Sequence, residues 1–142
     1  MSTTIRPELS KKNKYYIDKH RYYELKHFCL QYPSWKQKYR QLSRPDYPVS
    51  MIREVKADIC KADPTGDRAI LKERYSKRIN LVEKVSTDAD AFLSPYILKA
   101  VTKGVSFTQL QTMWGIPCGK DMYYDRYRKF FWLLSQRLDD IY

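Results

Sequence analysis

The end of the chain carries closely spaced helix start and stop signals, and these constrain its fold more than any other feature. Ser94 before Pro95 has the form of an N-cap followed by a first-turn proline. Lys103 and Gly104 supply a basic last turn and the glycine that commonly ends a helix. The sequence therefore predicts a helix over Pro95–Lys103.

A second, short helix is predicted two residues later. Ser106 and Gln109 have the spacing of a capping box, in which each side chain bonds the other residue's backbone amide. The apolar residues of this helix are Leu110 and Met113. It must stop at Gly115, because glycine readily adopts the left-handed conformation that ends a helix.

The turn Ile116–Gly119 then precedes a long helix, predicted from about Lys120 to Asp140. At about 100° per residue, one face of it is apolar and is predicted to be the core face. That face comprises Tyr123, Tyr127, Phe130, Leu134, Leu138 and Ile141. Three helices with such short connections predict a helix-turn-helix over about residues 94–142, whose last two helices cross.

The first turns of the long helix are the part of a recognition helix that enters the major groove. Lys120, Tyr124 and Arg128 project away from the core face and are predicted to lie in the groove. Arg126 and Lys129 flank them and are predicted to hold phosphates.

The same punctuation also occurs in ordinary helical bundles, so packing alone is a competing interpretation. Asp121 and Asp125 lie on the proposed reading face and would repel phosphates unless they accept hydrogen bonds from cytosine amino groups. Trp132 lies opposite the apolar stripe and is predicted to bury against the N-terminal helices or a second subunit.

Upstream of this region the sequence also predicts helices and no strand. The predicted features are a basic amphipathic helix over 13–32, a short helix over 34–42, apolar residues at helical spacing over 51–60, a turn over 63–67 and an amphipathic helix from Asp67 whose apolar positions are Ile70, Leu71, Tyr75, Ile79, Val82 and Val85. The fold class is therefore all-α, a small helical bundle with a C-terminal helix-turn-helix. Residues 1–62 are predicted to form a basic N-terminal helical region and residues 63–142 the helical domain.

The net charge of the chain is +11, and it is unevenly distributed along the sequence. Residues 1–45 have a net charge of +8, residues 46–93 of zero and residues 94–142 of +3. Such an excess attracts a polyanion, so nucleic acid is the leading partner and an acidic protein surface the second. The N-terminal residues predicted to contact nucleic acid are Lys11, Lys12, Lys14, Lys19 and Arg21, which alternate with aromatic side chains.

Other classes of protein are disfavoured. Three widely spaced cysteines fit neither a disulfide framework nor a paired zinc knuckle, and we expect reduced thiols and no metal. Catalytic motifs and cofactor-binding motifs are absent from the sequence, so we expect neither an enzyme nor a cofactor. Without an apolar signal segment or membrane span, we expect a cytoplasmic protein that does not contact a membrane.

Three stretches of the sequence resemble a known family. They are residues 63–67, residues 93–107 and residues 115–131. Together they resemble small prophage-encoded transcriptional regulators of the RinA and ArpU type, whose C-terminal helices are similar to region 4 of sigma factors. The resemblance implies binding to promoter DNA upstream of late phage genes in a bacterial host cell, with RNA polymerase as a further partner. It also implies that residues 120–129 match the recognition helix, although Cys118-Gly119 replaces the usual Ser or Thr cap.

The sequence therefore predicts a sequence-preferring duplex DNA-binding protein, a phage-type transcriptional regulator, with a two-fold dimer as the default assembly. Two alternatives stay open. One is a protein-binding inhibitor such as an anti-CRISPR or another host-defence antagonist, which would bind an acidic or nucleic-acid-binding protein surface with its tyrosines and arginines. The other is a small terminase-like packaging protein, which would form a ring.

Overall fold

A computed structural model describes residues 13–44 and 64–141, and all regular structure in these ranges is α-helical. The helices are α1 (Lys19–Leu30), α2 (Tyr32–Leu42), α3 (Pro64–Ala89), α4 (Ser94–Lys103), α5 (Phe107–Trp114) and α6 (Lys120–Ile141). The predicted all-α class is confirmed. None of the helices in the described ranges is both long and apolar enough to cross a membrane.

The described residues group into two compact units. We call residues 13–31 with 81–141 the bundle unit, and residues 32–44 with 64–80 the hairpin unit. The long helix α3 contributes to both units. The predicted domain boundary between residues 62 and 63, and the predicted helix over 51–60, lie outside the described residues.

The bundle unit is a small helical bundle in which α1 and α4 pack against each other and against α6. Its core is rich in aromatic and aliphatic side chains that are fully excluded from solvent. The largest of them are Tyr22, Tyr123, Phe130, Phe131, Leu25, Leu93, Ile97, Leu110 and Leu134. All described members of the predicted core face of α6 are buried, and the side chain of Ile141 lies outside the described residues.

The N-terminal helix was predicted to start at Asn13, but α1 starts at Lys19. The carboxylate of Asp18 accepts a hydrogen bond from the His20 amide and caps the helix, while Asn13 closes a turn by accepting one from the Tyr15 amide. The intervening segment is extended and buries Tyr15 and Ile17. Local side-chain capping therefore overrides the helical periodicity before Lys19.

Two predictions for α3 are wrong. The stretch Asp63–Asp67 was predicted as a turn, but α3 already begins at Pro64, because a proline is well tolerated in the first turn of a helix. Ile70 was predicted on the apolar face, yet 46% of it is exposed. The buried stripe of α3 runs instead through Leu71, Tyr75, Leu81, Val82, Val85 and Ala89.

The start of α4 also differs from the prediction. Ser94 is the first helical residue rather than the N-cap, and its hydroxyl lies 3.0 Å from that of Ser86. The N-cap position is held by Leu93, and no side chain caps the helix there. The carboxylate of Asp90 instead stabilises the turn before α4 by accepting hydrogen bonds from the amides of Phe92 and Leu93 at 2.9 and 3.0 Å.

Candidate nucleic-acid interface

The C-terminal ends of α4 and α5 and the start of α5 lie where their capping residues place them. Gly104 follows α4 with a φ of 69°, and Gly115 follows α5 with a φ of 61°, both in the left-handed region. The capping box of α5 is present in both directions between Ser106 and Gln109. These three local predictions are confirmed, and they fix connections of three residues before α5 and five residues before α6.

The short helix α5 packs on the start of α6 through an aromatic side chain. The ring of Phe107 lies 5.2 Å from the ring of Tyr123 and 6.2 Å from that of Tyr124, measured between centroids. Leu110 is the other buried residue of α5, whereas Met113, predicted on its apolar side, is 65% exposed. One side of α5 is therefore held against the bundle and the other faces solvent.

The solvent side of α5 and the first turn of α6 form what we call the α5–α6 surface. Its exposed members are Thr108, Gln109, Gln111, Thr112, Met113, Trp114, Lys120, Asp121 and Met122. Apart from the two methionines and Trp114, these side chains are polar or charged. None of the α5 members was among the binding residues predicted from the sequence. The available signal was that the polar residues at positions 108, 111 and 112 share one side of a helix.

Lys120 and Tyr124, two of the three predicted groove residues, have different environments. Lys120 is the first residue of α6 and is exposed. Tyr124 is half-buried, with ring contacts to Tyr123 at 5.0 Å and to Tyr127 at 6.3 Å. Burial raises the pKa of Tyr124, so its hydroxyl stays protonated and able to donate a hydrogen bond at neutral pH.

Arg128, the third predicted groove residue, is half-buried. Its Nε is excluded from solvent and lacks a hydrogen-bond partner among the described residues. An unpaired buried guanidinium donor is energetically unfavourable, so a hydrogen-bond acceptor that reached this Nε would stabilise the side chain. Lys129, one residue on, is also half-buried.

Arg126 is engaged with protein carboxylates. Its Nε lies 3.0 Å from Asp90 and its Nη1 lies 2.6 Å from Asp125. Burial by itself would raise the pKa of Asp90, but hydrogen bonds from the Leu93 amide, from Arg126 and from the Phe92 amide outweigh it and hold the pKa below its usual value. Arg126 thus ties α6 to the connection between α3 and α4.

The N-terminal basic residues also differ in whether they are exposed or paired with other protein groups. Lys14 and Lys19 are exposed, and the Lys14 ammonium lies 4.9 Å from the centre of the Tyr15 ring. Arg21 instead joins α1 to α6: it donates to the hydroxyl and carbonyl oxygens of Ser135 and pairs with Asp139 at 2.7 Å. The predicted contacts Lys11 and Lys12 lie outside the described residues.

Trp132, which projects from the outer side of α6, is half-buried and lies 5.6 Å from Tyr15, centroid to centroid. Trp132 was predicted to bury against the N-terminal helices or a second subunit, but it is only half-buried and the residue it contacts precedes α1. The N-terminal segment therefore covers the outer side of α6 near this residue. Beyond its first turn, α6 has no fully exposed residue until Gln136.

The thiols and carboxylates of the described residues are not arranged as a metal site, since no group of three potential ligands is found there. Burial raises the pKa of the Cys29 thiol well above its usual value, and burial followed by the negative charge of Asp90 also raises that of Cys118. Both thiols are free. Cys60 lies outside the described residues.

Compared with models of protein families, with curated proteins and with solved structures, the chain shows no significant match.

Proposed function

We propose that this chain binds duplex DNA with sequence preference through the α5–α6 surface, as a phage-type transcriptional regulator. One observation supports the proposal most: the solvent-facing side of α5 and the first turn of α6 together present polar side chains and an exposed lysine. A helix-turn-helix uses these parts for contact, since its second helix enters the major groove by its N-terminal residues. The net charge of +11 adds the electrostatic attraction that duplex binding needs.

The exposed side chains divide into two roles under this proposal. Lys120 reads a guanine edge or a neighbouring acceptor from the first turn of α6. Thr108 of α5 donates a hydrogen bond to a phosphate oxygen and sets the register, whereas the Thr112 hydroxyl already donates to the Thr108 carbonyl oxygen. Lys129 and the exposed Lys14 and Lys19 supply further phosphate contacts.

The half-buried residues have other roles under this proposal. The protonated hydroxyl of Tyr124 is a donor that a groove acceptor could satisfy. The Nε of Arg128 is shielded from solvent, so under this proposal the Arg128 side chain reorients to contact DNA. Arg126 serves mainly to hold α6 in place through Asp90, because its guanidinium already has two carboxylate partners. A role for RNA polymerase stays a prediction from the family resemblance.

The test starts from duplexes selected by the full-length protein out of a randomised pool. Lys120→Ala is then compared with Lys84→Ala, an exposed lysine on α3 outside the α5–α6 surface. If Lys120 reads a base, we expect Lys120→Ala to weaken binding to the selected duplex by about 1 to 3 kcal/mol and to weaken binding to a scrambled duplex much less. Lys84→Ala should affect both duplexes slightly and equally.

Arg128→Ala belongs in the same series, with the same expected loss of about 1 to 3 kcal/mol at the selected site if its guanidinium reads a base. Equal affinities of the wild type for selected and scrambled duplexes would contradict sequence preference. Wild-type affinity of both Lys120→Ala and Arg128→Ala would contradict the assignment of α6 as the reading helix.

A protein-binding inhibitor is the second candidate, and a specific observation favours it. Met113 is 65% exposed and Met122 46% exposed, and Trp114 beside Met113 is also partly open to solvent. Exposed methionine and tryptophan are enriched at protein interfaces, and the nearby Asp121 would suit a basic partner. If the wild type binds no duplex even at 50 mM salt, this function replaces DNA binding as the leading candidate.

A further inference from the structure

The excess positive charge of the molecule is concentrated in the hairpin unit. Its described residues, 32–44 and 64–80, include nine basic and two acidic residues, a net charge of +7. The described residues of the bundle unit include twelve basic and nine acidic residues, a net charge of only +3. Counting every residue instead, residues 32–80 carry +6 over 49 residues and the rest of the chain +5 over 93, so the positive charge per residue is still higher in residues 32–80.

The two acidic residues of the hairpin unit do little to offset this charge. Asp67 is buried. Glu73 forms an ion pair with Lys77 at 3.4 Å, one helical turn away. Among the described residues of this unit, Glu73 is thus the only exposed carboxylate, and the Lys77 ammonium is already paired with it.

The first half of α3 runs antiparallel to α2, and its basic side chains lie against α2. Arg68 donates a 2.8 Å hydrogen bond to the carbonyl oxygen of Arg44. The Lys72 ammonium lies 5.6 Å from the ring of Tyr39, and the Arg78 guanidinium lies 5.9 Å from that of Trp35. Residues later in α3 contact residues earlier in α2, which is the order expected of an antiparallel helical hairpin.

One cation contacts the half-buried ring of Tyr39 from α3, and two more lie near Tyr39 on α2, where the Lys36 ammonium is 5.4 Å from the ring of Tyr32. Lys36 and Arg40 are one helical turn apart on α2 and flank Tyr39 on its own helix, so their side chains share a side of α2. Lys72 is the cation that reaches the Tyr39 ring from α3. None of the three forms an ion pair with a described residue, and we call Lys36, Tyr39, Arg40 and Lys72 the Tyr39 surface.

We propose that the Tyr39 surface binds the phosphate backbone of duplex DNA independently of sequence, as a second contact beside the α5–α6 surface. This inference rests on the proposed DNA-binding function. Clustered like charges repel each other, and a phosphate backbone relieves that repulsion while releasing its condensed counterions. Lysine and arginine contacts to phosphate carry no base information, so this surface contributes affinity and not sequence preference.

The experiment compares two triple variants of the full-length chain that have the same net charge. Lys36→Gln/Arg40→Gln/Lys72→Gln neutralises the Tyr39 surface and keeps aliphatic stems for packing. Lys26→Gln/Lys84→Gln/Lys103→Gln removes three lysines from the bundle unit, outside both proposed surfaces. Dissociation constants for a selected and a scrambled duplex are measured from 50 to 300 mM salt, with thermal unfolding by circular dichroism to confirm that both variants fold.

We expect the Tyr39-surface variant to bind both duplexes about tenfold more weakly at 150 mM salt, with the preference for the selected duplex unchanged. Its plot of log Kd against log salt should be less steep by about three, because each lost phosphate contact removes about 0.9 from the slope. The bundle-unit variant should stay within about twofold of the wild type, since lysines that do not contact the duplex are largely screened by salt.

Each other result has a distinct meaning. If the two triple variants behave alike while the wild type binds DNA, the Tyr39 surface is refuted and the proposed function stands. If the wild type binds no duplex at 50 mM salt, both proposals fall. Displacement of the duplex by poly-L-glutamate at an equal concentration of charges would show a general preference for acidic chains and would overturn the assignment to phosphate.

Discussion

Arg21 illustrates how a single basic residue can serve the fold. Its guanidinium bonds Ser135 and Asp139 near the end of α6 and Glu24 on its own helix, and only 23% of its side chain is exposed. Lys19, two residues earlier, is exposed. The two residues are two positions apart in sequence and predicted for the same role, but their surroundings assign them different ones.

We therefore predict that Arg21→Ala lowers the free energy of unfolding by about 1 to 2 kcal/mol, because the part-buried Ser135 loses the charge-assisted hydrogen bonds that Arg21 donates. Lys19→Ala should change it by less than about 0.5 kcal/mol. Urea denaturation of both variants measures this difference. A wild-type stability for Arg21→Ala, together with weakened DNA binding, would show that Arg21 serves the ligand and not the fold.

Asp90 is the second residue with a distinct prediction, because its pKa lies below the usual value in the folded state. A depressed carboxyl pKa stabilises the fold above the unfolded pKa of about 3.9, and the contribution is lost as the pH falls through the folded value. Asp90→Asn should therefore be less stable than the wild type by about 1 kcal/mol at pH 7, where Asn loses the charged pair with Arg126. The difference should shrink below about pH 4.

Denaturant titrations between pH 7 and pH 3 check this dependence. Asp140→Asn, at an exposed position near the end of α6, is the control and should differ little from the wild type throughout. A stability difference for Asp90→Asn that stays the same down to pH 3 would contradict the role of its ionised form.

At the scale of helices, the two left-handed glycines determine where α4 and α5 end. Gly115 has a φ of 61° and open space around it, so an added methyl group would meet no neighbour but would strain the backbone. Gly119, four residues later, also has open space and does not have a left-handed φ. Alanine substitutions at these two glycines therefore isolate the effect of backbone strain, because neither added methyl group meets a neighbouring atom.

We predict that Gly115→Ala lowers the free energy of unfolding by about 1 kcal/mol or more, because a left-handed conformation is unfavourable for a residue with a Cβ atom. Gly119→Ala should be close to neutral or slightly stabilising. Thermal or urea unfolding of the two variants measures the contrast. Equal stabilities would mean that the end of α5 does not depend on the conformation of Gly115.

The elements that sequence reasoning predicted correctly are those with local causes. The capping box at Ser106, the glycine after α4 and the extent of α6 depend on residues within one or two turns. The start of α1 was mispredicted because the Asp18 side chain competes with the periodic pattern for a backbone amide. The start of α4 was mispredicted because Ser94 lies inside the helix and Leu93 before it provides no side-chain cap. The partners of Arg21 are 114 and 118 positions away, so no local pattern could reveal them.

At the scale of the whole molecule, the charge distribution depends on the fold rather than on consecutive windows of sequence. Residues 46–93 are neutral as a window, because the acidic residues of 45–63 and 81–93 are counted with the basic start of α3. Grouping residues by their packing joins α2 to that basic start instead. The strongest positive charge then falls on the hairpin unit, which sequence windows did not single out.

The central claim is that duplex DNA contacts the α5–α6 surface, and backbone amide NMR of the isotopically labelled full-length protein tests it most directly. Titration with a selected duplex should shift the amides of residues 106–113 and 119–125, with smaller shifts near Tyr39, while the buried core of α3 around Val85 stays unchanged. Weaker shifts of the same amides are expected with a scrambled duplex. Shifts confined to other parts of the chain, or no shifts at low salt, would contradict the claim.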